Sequence, residues 1–137
     1  MKINYMAAAA MMLTASAEAL PDGWISSPPS DGSDVSFYVN RSKTITLAPV
    51  EDAGLSLDQM GDEMRNFYDN LGFDCRTLHR GRHMVNFDCV KMNNRNPELP
   101  SSVGVYLLEK DHRVTAASLF GGASLDDLRQ IIGGDSL

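Results

Sequence analysis

The sequence is short of positive charge. Its 137 residues hold 12 lysines and arginines against 18 aspartates and glutamates, a net charge of -6. Phosphate repels such a chain, so nucleic acid is not an expected partner. No apolar run is long enough to cross a bilayer. There are only two cysteines and no C-x-x-C, which removes the usual dithiol redox motif. There is no G-x-S-x-G either, so a serine nucleophile elbow has no basis. Catalytic residues, metal ligands and cofactors are accordingly assigned as none.

What is present starts with a positive Lys2. An apolar segment, Met6 to Ala15, follows, and then Ala17-Glu18-Ala19. Positive start, short apolar run and A-x-A site are the three parts of a secretory signal peptide in their proper order. The expectation is cleavage before Leu20, removal of residues 1–19, and export to the periplasm or the medium. No cysteine follows the cleavage site, so no lipid or membrane anchor is expected.

Residues 20–34 are rich in Pro, Gly, Ser and Asp. They read as an N-terminal arm or loop, with Trp24 as an anchor into the core. Residues 35–137 read as one α+β domain. Val35, Phe37 and Val39 alternate with polar residues. A turn over Arg41-Ser42-Lys43 would pair Val39 with Ile45 and Phe37 with Leu47. A helix follows from Ser56, an N-cap with Gln59 three residues later, and its apolar stripe is Leu57, Met60, Met64, Phe67 and Leu71. Gly72 suits its end. A hairpin spans the two cysteines, another crosses Lys110-Asp111, and a second helix runs from Leu125 to Ile132, capped by Ser124 and ended by Gly133.

A shift of 68 lays Val35, Tyr38, Ala48, Gly54, Ser56, Leu57 and Asp58 on Val103, Tyr106, Ala116, Gly122, Ser124, Leu125 and Asp126. The element order is therefore ββα, ββ, ββα, with a possible internal repeat. It predicts an antiparallel sheet of about six strands with two helices on one face.

The tripeptide Phe-Asp-Cys occurs at 73–75 and again at 87–89. Setting Cys75 opposite Cys89 puts Thr77 opposite Phe87, His79 opposite Val85 and Arg76 opposite Asp88, with the turn over Gly81-Arg82-His83. Directly opposed residues of a non-hydrogen-bonded pair come within disulfide range, and export supplies an oxidising compartment. A structural disulfide is the reading. The competing zinc reading, Cys75, His79, His83 and Cys89, has suitable ligand types at an unfamiliar spacing.

Ser56 and Ser124 both precede helices, and capping explains them without catalysis. Asp58, Asp62, Glu63, Asp126 and Asp127 lie early in helices, where acidic groups favour the dipole. Asn40-Arg41-Ser42 is a glycosylation sequon of relevance to a eukaryotic source alone. Arg76, His79, Arg80, Arg82 and His83 form the basic cluster of an acidic chain. They are the candidate binding residues, suited to an acidic partner. The expected function is that of a small exported binding protein, not an enzyme, engaging another protein as an inhibitor or immunity-type protector. The alternatives are a periplasmic small-ligand or anion binder, and a small hydrolase without a readable motif.

Overall fold

Alternating apolar and polar residues build the strands, and two capped amphipathic segments build the helices. The computed structural model describes residues 20–27, 34–51, 54–92 and 97–133. The signal-peptide expectation lies outside these residues. In chain order the elements are β1 (Ile25–Ser27), β2 (Ser36–Asn40), β3 (Lys43–Val50), α1 (Leu57–Asn70), β4 (Phe73–Arg80), β5 (Met84–Lys91), β6 (Ser102–Lys110), β7 (Arg113–Phe120) and α2 (Leu125–Ile132).

The strands form one sheet in the order β1-β2-β3-β7-β6-β5-β4, with every neighbouring pair antiparallel. The fold is α+β with an antiparallel sheet, as expected. It has seven strands, because β1 forms inside the stretch read as an arm. That stretch also delivers Trp24 to the core, 8% exposed. Counting antiparallel pairings outward from β3 shows that β3 and β4 run parallel. The connection through α1 therefore crosses three intervening strands, β7, β6 and β5.

The helices cover opposite faces, not one. Paired residues share a face, so Tyr38, Ile45, Leu47, Ala117 and Leu119 point to one side. There they pack with Trp24 and with Leu128 and Ile131 of α2. Val85, Leu107 and Ala116 point to the other side and pack with Leu57 and Met60 of α1. Phe87, Cys89, Val103 and Val105 continue that layer beneath Met64, Tyr68 and Leu71. Strand alternation gives both faces apolar rows, and that is why one helix cannot serve both. Each helix covers about half of its own face: α2 lies over the β2-β3-β7 side and α1 over the β4-β5-β6 side.

Three finer expectations are corrected. The β2–β3 turn is Arg41-Ser42, with Arg41 at φ 57°, so Tyr38 pairs with Ile45 and Ser36 with Leu47. A turn one residue shorter than expected slips the register by one and inverts the strand. Tyr38 goes into the core while Phe37 and Val39 turn out. In α1, Tyr68 takes the buried stripe and Phe67 points outward, one residue or about 100° around the helix. In the β4–β5 hairpin, Cys75, Arg76 and Thr77 meet the expected partners, but a bulge at Leu78 then sets His79 opposite Asn86 and Arg80 opposite Val85.

Both helix starts carry the expected capping boxes, Ser56 with Gln59 and Ser124 with Asp127. The shift of 68 matches these caps, and it matches Tyr38 to Tyr106 and Ala48 to Ala116 on like faces. The likeness ends where the two helices leave for opposite sides.

Candidate functional site

The two cysteines are joined to each other, with Cα atoms 4.0 Å apart. Neither is a free thiolate, which overturns the zinc reading and makes the pair a staple across β4 and β5. Ser56 and Ser124 are occupied as caps: each hydroxyl accepts a backbone N–H three residues on.

The five candidate binding residues do not stay together. Arg76 pairs with Asp88 across the strands and His79 with Asn86, which places both on the α2 face. Arg80 goes to the α1 face and is held by the helix. Its guanidinium lies 2.9 Å from Asp62 and 3.5 Å from Asp58. The hydrogen bond from Arg80 holds the Asp62 carboxyl below its ordinary range, and Asp62 in turn raises Arg80. Arg65 adds a hydrogen bond of 2.8 Å to Thr77, so α1 clasps β4 at two points. Arg80 is thus a lock between hairpin and helix. Arg82 and His83 remain at the tip.

The tip acquires new neighbours. β5 pairs with β6, so the β4–β5 turn lies beside the β6–β7 turn at the same end of the sheet. The Glu109 N–H donates to the His83 carbonyl at 2.8 Å, and His83 Nδ1 lies 3.4 Å from the Glu109 carboxylate. Asp111 and His112, both at positive φ, form the tight two-residue turn of the second hairpin. Lys110, His112 and Arg113 are exposed around it. The paired hairpins therefore gather Arg82, Lys110 and Arg113 with His83 and His112, and His79 lies close to the same end. Among the described residues Arg82, Lys110 and Arg113 enter no ion pair. Sequence reasoning missed Lys110, His112 and Arg113. The signal was the basic flank of the second turn, but joining it to the first required the strand order.

Two other surface features stand apart. A shallow cleft of about 440 Å³ at the opposite end is lined by Asp22, Gly23, Asn40, Arg41, Ser42 and Lys43. Lys43 is tied to Asp127 at 3.2 Å, and the sequon residues sit on the cleft's turn. On the uncovered half of the α1 face, Ile25 lies opposite Val39 and next to Phe37, with exposures of 72%, 37% and 42%. Among the described residues no cluster of three or more His, Cys, Asp or Glu could hold a metal ion, and no helix is long and apolar enough to cross a membrane. Neither a protein-family model nor a curated protein nor a solved structure matches this chain.

Proposed function

We propose that this chain is an exported, non-enzymatic binding protein that engages the acidic surface of a partner protein through its paired hairpin tips, as an inhibitor or immunity-type protector does. The observation that carries the reading is the convergence of Arg82, Lys110 and Arg113, without ion pairs among the described residues, at one end of a chain whose net charge is -6. Arg82, Lys110 and Arg113 outnumber Glu109 and Asp111 at this end, and a net-positive end on an acidic body orients the approach of an acidic partner and raises the association rate more than it deepens affinity. The tip is also held in shape by the staple, the Arg80 lock and the His83–Glu109 contacts. A binding surface held rigid loses little entropy on association. The disulfide is compatible with an oxidising compartment, which supports export.

The test is capture by the mature chain, followed by association kinetics in low and high salt. The double variant Arg82→Glu, Arg113→Glu should associate more slowly with the captured partner and show a flatter salt dependence, with its melting temperature unchanged. Capture that charge reversal leaves untouched would move recognition away from the tips, first to Ile25, Phe37 and Val39.

A further inference from the structure

The open edge of β4 pairs with the same edge of a second copy, and we propose that this chain dimerises there into one sheet that is continuous through both copies. The argument begins with the direction of the backbone groups. Opposed residues of an antiparallel ladder alternate between hydrogen-bonded pairs and closer, non-hydrogen-bonded pairs. Cys75 and Cys89, at 4.0 Å between Cα atoms, are a pair of the closer kind. Two residues along, Lys91 donates its N–H to Ser101 on the far side of β5, so Phe73 and Lys91 are of the same kind. Gly72 and Met92, of opposite parity, are joined by a hydrogen bond of 3.0 Å from the Met92 N–H. The backbone N–H and C=O of Phe73, Cys75 and Thr77 therefore point away from β5, toward the edge. Among the described residues no backbone group takes them up.

The other edge of the sheet is β1, only three residues long. β4 offers Phe73 to Thr77 before the bulge at Leu78 interrupts it. Charged residues on an edge normally discourage pairing. Here they have opposite signs two positions apart, Asp74 and Arg76, both exposed on the α2 face. Among the described residues neither is in an ion pair.

Symmetry then selects the register. A two-fold axis normal to the sheet makes the strands antiparallel and keeps each face continuous, which restricts the axis to passing beside a residue. Beside Asp74 it would oppose two aspartates, and beside Arg76 two arginines. Like charges directly opposite are destabilising. Beside Cys75 it sets Asp74 against Arg76 of the second copy, twice over. The same register makes Cys75 with its mate, and Phe73 with Thr77 of the mate, the hydrogen-bonded pairs. Those are the residues whose backbone groups point outward. Hydrogen-bond parity is met by each of these three registers, and the charge pattern chooses among them the one beside Cys75; a second copy is the occupant that satisfies both.

Sedimentation velocity over a concentration series tests this on the mature chain and two variants. Wild type should dimerise. Asp74→Arg alone and Arg76→Asp alone place like charges across the axis and should each weaken the dimer by at least about tenfold. An equimolar mixture of the two variants restores opposite charges at both positions and should form a heterodimer of near wild-type affinity. Melting temperatures of the separate variants establish that each is folded. The amides of Phe73, Cys75 and Thr77 should also gain hydrogen-exchange protection with concentration. A wild type that stays monomeric, or variants that dimerise as well as it does, would overturn the proposal. So would two folded variants that fail to associate when mixed.

Discussion

At Gly121 a methyl group would run into the carbonyl of Ser42, and the backbone there is at φ 65°. The Ser42 hydroxyl donates to the Gly121 carbonyl at 3.2 Å, so the β2–β3 turn is seated directly on this residue. Gly121→Ala should cost about 2–4 kcal/mol, the left-handed backbone and the collision together. Gly122→Ala, at φ 90° with nothing within 4 Å, should cost only about 1 kcal/mol. Denaturant unfolding of both variants checks the order, and equal losses would show that the turn is not seated there. Tyr38 supplies a pH test. Burial pushes its phenol up to about 12 from an ordinary value of 10.0. The folded state thus keeps a proton that the unfolded state gives up. Stability should hold below pH 10 and fall as pH rises toward 12, by about 3 kcal/mol across the window. Tyr38→Phe should show a shallower alkaline decline, and an unchanged decline would place the loss on other tyrosines.

Between elements, the β4–β5 hairpin is held most closely. Its staple closes a loop of about 15 residues, worth about 3 kcal/mol in chain entropy, and the hairpin already restrains that loop. Replacing Cys75 and Cys89 by alanine should therefore lower stability by about 2 kcal/mol without altering the recognition proposed for the tips. Thermal melting and partner association read the two effects separately. This hairpin was also the most legible part of the sequence, because the repeated tripeptide sets its register as far as Thr77. The bulge at Leu78 was not legible, since nothing in Thr77-Leu78-His79 marks an extra residue. The register of β2 and β3 was misread for a related reason. Arg41-Ser42-Lys43 suits a turn of either length, and one residue decides whether Phe37 or Tyr38 is buried. β1 was hidden because three residues between Gly23-Trp24 and Pro28-Pro29 carry no periodicity. The candidate site was legible only in part. Arg76, His79, Arg80, Arg82 and His83 are neighbours in sequence, but strand alternation sends them to different surfaces, and their replacements at the tip come from another hairpin.

For the molecule as a whole, the strand order matters more than any single contact. β7 and β6 fill the middle of the sheet, between β3 and β5. A chain ending at Ser101 would retain β1 to β5 and α1, yet β3 and β5 would each lack a neighbour. Such a truncation should show no cooperative melting and should aggregate, because open apolar strand edges invite foreign pairing. A soluble, cooperatively melting fragment would count against the topology. The crossover from β3 through α1 to β4 has a consequence in time as well as in space. The centre of this sheet, β6 and β7, leaves the ribosome after the strands that flank it, so the strands cannot assemble in the order of their synthesis. The early strands must wait as separate pieces for a late hairpin to be inserted between them. A chain held open in this way, rich in contacts between distant residues, folds slowly. For the export proposed above, in which the chain would be threaded through a membrane before it folds, that delay would be a gain.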